Sequence, residues 1–218
     1  MTPVIAEKID ARVNCAELFE SIRPLLEKYP AEMRSPAIGG WALQSTNRSY
    51  KDGWSLDFCP YNGPKNRGPT WTPQSEAELK MQPVQEFVQP TEILTPAFAN
   101  LLQELDSVGL NPRRARIIQL MPGASSVWHQ DGSKRFYQAR LHIPLVTNDG
   151  CFFETEDGRY HMAADGSYYF VHINKMHRVV NNGSTVRYHF VVHVWDQQGI
   201  TQWHQYNPLN NDGETVHP

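Results

Sequence analysis

Apolar residues from Arg114 onward occur in short runs separated by clusters of turn-forming residues. Each run has the length and the β-branched or aromatic content of a strand. Strands joined by Gly-, Asn- and Asp-containing turns are typical of antiparallel sheets. The runs are ARIIQLM, QARLHIPLV, CFFETE, YYFVHI, HRVV and VRYHFVVHVW, with breaks at Pro122-Gly123, Asn148-Asp149-Gly150, Asp157-Gly158, Asp165-Gly166 and Asn181-Asn182-Gly183. The pattern predicts a mainly β protein, either a sandwich or a barrel.

Two stretches nearer the N-terminus repeat apolar residues at helical spacing instead. The first runs from about Ala16 to Lys28, with Asn14 as its N-cap. The second begins at Pro96 behind the cap Thr95 and ends near Gly109. Their apolar faces are formed by Leu18, Ile22, Leu25 and Leu26 and by Phe98, Leu101, Leu102 and Leu105. Both helices are expected to pack on the core.

The segment Tyr50–Gln74 lies between the helices and predicts no regular element, because glycines and prolines interrupt it throughout. Aromatic residues, among them Trp54, are interleaved with these breakers. The segment is expected to be either an ordered surface loop anchored by its aromatics or a lid over a pocket. In the second case Trp54 would contact the substrate.

The length of 218 residues is that of a single domain with a full core. We expect a helical and loop-rich part over residues 1–112 that contains the substrate lid. The β-rich core, with the site, is expected over 113–196, and a C-terminal tail over 197–218. The cysteines Cys15, Cys59 and Cys151 are odd in number and widely spaced, so we expect reduced thiols.

Charge and hydropathy exclude several classes of partner. The net charge is only −3, and the basic residues are scattered, so no nucleic-acid partner is expected. The chain has no apolar run long enough to span a membrane and no secretory signal, so no membrane partner and a cytoplasmic location are expected. The oligomeric state is left open.

The strongest local signal is Trp128-His129-Gln130-Asp131. In an extended chain His129 and Asp131 point to the same face, and a third ligand is expected from His177 at the end of a predicted strand. Two imidazoles and one carboxylate on one face of an octahedron suit iron(II) and leave three positions open. The H-x-D pattern alone is weak, because a strand histidine is more often a core or surface residue.

Three further polar residues strengthen this interpretation. Arg187 begins a strand ten positions after His177, and a fixed guanidinium matches a carboxylate in two parallel hydrogen bonds. Arg140 and His142 share one face of an otherwise apolar strand. If this face is buried, the pair needs an anionic partner; if it is exposed, alternation explains the pair equally well.

These residues fall in the order of a known family. The matching positions are Leu120-Met121-Pro122-Gly123, His129, Asp131, Arg140-Leu141-His142-Ile143-Pro144-Leu145, Gly166, His177, Val179, Asn181, Arg187 and Val194-Trp195-Asp196. In this respect the chain resembles the aspartyl/asparaginyl β-hydroxylase family of 2-oxoglutarate oxygenases. The resemblance covers roughly Arg116 to Asp196.

The resemblance implies a double-stranded β-helix, or jelly roll, with Fe(II), 2-oxoglutarate and O2 as cofactor and cosubstrates. It implies that His129, Asp131 and His177 hold the iron, and that Arg187 binds the distal carboxylate of 2-oxoglutarate. It further implies that Arg140 and His142 face the cosubstrate. The animal enzymes have a glycine where this chain has Asp131, so the chain looks more like bacterial members such as proline hydroxylases.

The resemblance therefore implies hydroxylation of a C–H bond. The size of the chain and the lack of a recognisable peptide-binding repeat favour a free amino acid or small amino-acid derivative as substrate, and Trp128 and Trp54 are candidate substrate contacts. An aspartyl, asparaginyl or prolyl side chain of a peptide or protein is the alternative substrate. Two other classes stay open. One is a non-catalytic metal-binding jelly roll acting as a sensor or binding module, which would not require Arg187. The other is a zinc hydrolase, which would need a general base near the motif.

Overall fold

The computed structural model describes residues 6–9, 13–52, 54, 87–129, 139–171, 173 and 176–194. Their two larger sheets are both antiparallel. The strands are β1 (Ala6–Ile9), β2 (Glu32–Ser35), β3 (Ile38–Ala42), β4 (Gln44–Ser45), β5 (Gln89–Pro90), β6 (Arg113–Leu120), β7 (Ala124–Ser125), β8 (Ala139–Val146), β9 (Cys151–Thr155), β10 (Gly158–Tyr160), β11 (Tyr168–Val171), β12 (His177–Asn181) and β13 (Arg187–Val194). The helices are α1 (Cys15–Lys28) and α2 (Pro96–Ser107).

The strand order identifies the architecture. The large sheet runs β1-β11-β8-β13-β6-β3-β2, and the small sheet runs β10-β9-β12-β7. The chain crosses repeatedly between the sheets from β6 to β13, so that β6, β8, β11 and β13 lie in the large sheet and β7, β9, β10 and β12 in the small one. This interleaving is the double-stranded β-helix, and the predicted fold class is confirmed.

Both predicted helices are present and close to their predicted bounds. The side chain of Asn14 accepts a hydrogen bond from the backbone N–H of Glu17 at 3.1 Å, and Thr95 does the same for Phe98 at 3.5 Å. These bonds satisfy donors that a helix N-terminus leaves open. None of the helices in the described part of the chain is long and apolar enough to cross a membrane.

The helices cover the outer face of the large sheet. Their apolar stripes form one core with alternate residues of β6, β8 and β13, including Ile117, Leu141, Ile143, Phe190 and Val192. Because successive side chains of a strand point to opposite faces, the residues between these apolar positions face the small sheet. The fold thus directs the polar residues of the same strands into the space between the sheets.

The N-terminal part contains strands that the sequence pattern did not predict. β1 pairs with β11 at one edge of the large sheet, while β3 pairs with β6 and carries β2 at the other edge. β3 has the sequence IGGWA, and glycine pairs disfavour a strand assignment. Most of the segment Tyr50–Gln74 lies outside the described residues, so its expected role as loop or lid stays a prediction.

Candidate metal and cosubstrate site

Strand register determines which polar residues meet on the inner face of the large sheet. Val191 of β13 lies directly between Arg116 of β6 and His142 of β8, so these three side chains share one face. Arg187 and His189 lie on the same face, because they precede Val191 by four and two residues. All four polar side chains are buried.

His129 and His177 lie side by side at the end of the small sheet. Each backbone N–H donates to the other's carbonyl, at 2.9 and 2.8 Å, and their ring centroids are 4.3 Å apart. His129 Nδ1 is 2.8 Å from the carbonyl oxygen of Val127, so this nitrogen carries the proton and donates it. The lone pair of His129 is therefore on Nε2. A histidine whose Nδ1 donates a hydrogen bond binds a metal through Nε2.

His177 is only 2% exposed and stacks on Phe153, with centroids 5.0 Å apart and rings 21° from parallel. The structure thus brings together two of the three residues of the predicted H-x-D…H set. Asp131 lies outside the described residues, so its role as third ligand stays a prediction. Two adjacent imidazoles with one fixed tautomer fit a first-row metal such as iron(II).

A small cavity, partly open to solvent, lies between the sheets. Phe153 forms part of its wall as well as stacking on His177. The remaining lining residues are His142, Thr147, Cys151, Phe152, Met162, Val179, Arg187 and His189. The lining therefore combines basic and apolar side chains, and it contains no carboxylate among the residues described.

Arg187 is the cation of this cavity. Its side chain is 3% exposed, and within the described part of the chain its Nε has no hydrogen-bond partner. Burial lowers the pKa of the guanidinium to about 10, which leaves the group protonated at neutral pH. A buried cation is stable only with an anionic partner. The site therefore fits a ligand with a carboxylate.

His142 and His189 form a second buried pair beside Arg187. Their Nδ1 atoms are 3.4 Å apart and their rings meet edge to face. Burial, and after it the charge of Arg187, hold the pKa of both imidazoles well below its usual value. Both rings are therefore neutral at neutral pH. A further positive charge near His142 comes from Arg140, which lies half-buried at the next inward position of β8.

The two predicted substrate contacts lie in different places. Trp54 packs on the inner face of the large sheet, where its ring approaches the Cα of Gly40 so closely that a Cβ there would be 2.9 Å away. The Arg116 guanidinium lies 5.2 Å from the Trp54 ring centroid. Trp128 is 39% exposed and contacts Arg178, which points away from His177 on β12. The structure therefore does not bring Trp128 to the cavity.

Among the polar lining residues, sequence reasoning did not single out His189 and Thr147. The alternation of β13 placed His189 on the face of Arg187, but its contact with His142 depends on the pairing of β8 with β13, which no local pattern encodes. Thr147 directly follows β8, and nothing in the sequence distinguishes it from an ordinary loop threonine.

The interleaved sheets, the histidine pair and the buried arginine define a double-stranded β-helix protein with a candidate metal centre and a candidate anion-binding cavity. The family model for aspartyl/asparaginyl beta-hydroxylase matches residues 62–197, more than half of the chain. The chain belongs to this family, as the resemblance in its motifs predicted.

Solved structures with a similar fold include three hydroxylase or oxygenase proteins. Viral collagen prolyl hydroxylase from Paramecium bursaria Chlorella virus-1 is 12% identical, covering 88% of this chain and 95% of its own, with a TM-score of 0.46. A 2OG-Fe(II) oxygenase family oxidoreductase from Burkholderia pseudomallei is 14% identical, covering 88% and 84%, with a TM-score of 0.46.

A prolyl-4-hydroxylase from Pseudomonas putida is 11% identical, covering 88% of this chain and 93% of its own, with a TM-score of 0.44. At such identities and TM-scores, these likenesses add nothing to the argument from strand order. No curated protein is significantly similar to the chain in sequence.

Proposed function

We propose that the protein is an Fe(II)- and 2-oxoglutarate-dependent hydroxylase that oxidises a C–H bond of a free amino acid or small amino-acid derivative. The observation that carries the proposal is the buried guanidinium of Arg187, whose Nε lacks a partner among the described residues and faces a cavity without a described carboxylate. This cavity shares Phe153 with the histidine pair, so an anion held by Arg187 would lie close to the metal ligands.

In this proposal His129, His177 and Asp131 hold the iron. The bound metal, with 2-oxoglutarate and O2, supplies the oxidising chemistry, in which substrate C–H becomes C–OH while 2-oxoglutarate becomes succinate and CO2. The hydrogen bond from His129 Nδ1 to Val127 fixes the ring that presents Nε2. Arg187 donates to the distal carboxylate of the cosubstrate. Phe153, Met162 and Val179 keep that end of the cavity apolar.

The small substrate is supported by Trp54 and Arg116. Arg116 is 1% exposed on the same face as His142, and the Trp54 indole lies against its guanidinium. An aromatic ring stacked on a guanidinium forms a compact surface that suits a small substrate, such as a free amino acid. A peptide or protein substrate, the alternative, would need a longer open groove. The titration and substrate screen described next test both kinds of substrate.

The test is an anaerobic titration of the metal-free protein with iron(II) and 2-oxoglutarate, followed by an aerobic screen for succinate. We expect a weak visible charge-transfer band on mixing, and succinate formation stimulated by one or a few free amino acids. Stimulation by peptides and not by free amino acids would overturn the small substrate. Absence of the band would overturn the oxygenase itself and favour a binding module, while a requirement for zinc in place of iron would favour a hydrolase.

A matched pair of tryptophan variants tests the placement of the substrate. Trp54→Ala is expected to raise KM for the amino acid about fivefold, because it removes an aromatic contact of roughly 1 kcal/mol over Arg116. It should leave the affinity for 2-oxoglutarate unchanged. Trp128→Ala removes a tryptophan that lies against Arg178, on the face of β12 opposite to His177. Its KM for the amino acid is expected to stay within about twofold of wild type.

Steady-state kinetics at saturating 2-oxoglutarate measures both variants. Equal effects of Trp54→Ala and Trp128→Ala on KM would contradict the placement of the substrate beside Arg116. Trp54 also donates a hydrogen bond from Nε1 to the carbonyl of Glu32 at 2.8 Å, so a melting curve should accompany the kinetics.

A further inference from the structure

Several buried polar atoms without a partner among the described residues line the cavity between the sheets. Within the described part of the chain, four buried side-chain atoms lack a hydrogen-bond partner and belong to lining residues: Arg187 Nε, Thr147 Oγ1, His142 Nε2 and His189 Nε2. Each such atom costs free energy when buried without a partner. Four of them in one cavity indicate a bound polar group.

His189 is the member of this set that the family resemblance does not assign. It is 3% exposed, it lies two residues from Arg187 on the same strand face, and its ring contacts His142 through Nδ1 alone. Its Nε2 is thus the end that is turned to the cavity and has no partner among the described residues.

The contact between the two Nδ1 atoms restricts the protons of the pair. Since one Nδ1 must donate and the other accept, one neutral ring carries its only proton on Nδ1 and presents a lone pair at Nε2. The other ring then carries its proton on Nε2. The pair therefore always presents one N–H donor and one lone pair to the cavity.

We propose that His189 is a cosubstrate-binding residue, whose Nε2 contacts 2-oxoglutarate next to Arg187 while its Nδ1 holds His142 in the complementary tautomer. Thr147 offers a hydroxyl donor to the same ligand. The inference rests on the proposed function and adds to it two residues that recognise the cosubstrate.

Two substitutions separate the two ends of the His189 ring. In the proposed tautomer His189 accepts at Nδ1 and donates from Nε2. The side-chain oxygen of asparagine can take the place of the accepting Nδ1, and the amide nitrogen of glutamine can take the place of the donating Nε2. His189→Asn therefore keeps the contact with His142 and loses the contact with the cosubstrate, whereas His189→Gln does the reverse. A hydrogen bond to a charged group is removed in the first variant, so we expect its Kd for 2-oxoglutarate to rise at least about tenfold. His189→Gln should stay within about threefold of wild type.

The measurement is anaerobic calorimetry of 2-oxoglutarate binding to the iron(II)-loaded protein, with a melting curve for each variant. If His189 serves only to hold His142, the order reverses and His189→Gln binds more weakly than His189→Asn. That reversal, or equal affinities in the two variants, would overturn the inference. Failure of wild type itself to bind 2-oxoglutarate would instead overturn the proposed function, so the two failures are distinguishable.

Discussion

Replacing His177 with alanine is expected to abolish high-affinity iron(II) binding and, with it, succinate formation from 2-oxoglutarate. Residues that merely orient a metal ligand change metal affinity by about 10- to 100-fold, so loss of a ligand should exceed about 100-fold. The backbone bridge to His129 does not involve the imidazole and is retained in the variant. Metal content after dialysis, together with succinate production, measures the effect.

His161→Ala is the matched control for this variant. His161 is also a histidine of the small-sheet side of the molecule, but it is exposed. Its Nδ1 lies 3.0 Å from the carbonyl oxygen of Cys151, and its ring meets that of Phe152 edge to face. Its replacement should leave iron binding and turnover unchanged. If His177→Ala bound iron as tightly as wild type does, the histidine pair would not be the metal site, because one of its two imidazoles would then be dispensable.

The same alternation of apolar and polar residues explains most of what could be predicted from the sequence. It places Ile117, Leu141 and Phe190 under the helices, and it sends Arg116, His142 and Arg187 to the opposite face. The six predicted runs correspond to the six longest strands between residues 113 and 194. Two shorter strands, β7 and β10, were missed, because two or three residues show no period.

What local patterns could not supply is pairing between distant segments. The contact of His142 with His189 joins residues 47 positions apart and depends on register, and a shift of one residue would turn one of the rings outward. The position of Trp128 also depends on more than proximity in sequence. It is the sequence neighbour of His129, but neighbouring residues of an extended chain point to opposite faces, and its ring packs on Arg178 of β12. Its role as a substrate contact stays a prediction.

The interior of the barrel shows that stability and function make opposite demands on these strands. A large apolar residue at position 187 would cost less to bury than a guanidinium. The penalty is largest below about pH 10, where the folded-state arginine remains charged, and it declines only as pH rises from there towards the unfolded pKa. Arg187 therefore destabilises the ligand-free protein throughout the neutral range, and bound 2-oxoglutarate should offset this by pairing with the charge.

Arg187→Met is accordingly expected to weaken 2-oxoglutarate binding while raising the stability of the ligand-free protein. Loss of one partner from a buried, hydrogen-bonded charge pair costs about 2 to 5 kcal/mol, which corresponds to a rise in Kd of roughly 30-fold or more. Removal of the unpaired buried charge should stabilise the ligand-free fold by about 1 to 4 kcal/mol. Calorimetric titration and denaturant unfolding at pH 7 measure the two quantities on the same samples.

Arg23→Met is the control, because Arg23 is an exposed residue of α1 that pairs with Glu20 and Glu27. Its loss should change stability by less than about 1 kcal/mol and leave cosubstrate binding intact. A variant at position 187 that binds poorly and is also less stable than wild type would contradict the argument, since its weak binding could then result from a damaged fold. A damaged fold cannot explain weak 2-oxoglutarate binding in a variant that is more stable than wild type. That combination would mean that Arg187 binds the ligand and destabilises the ligand-free protein.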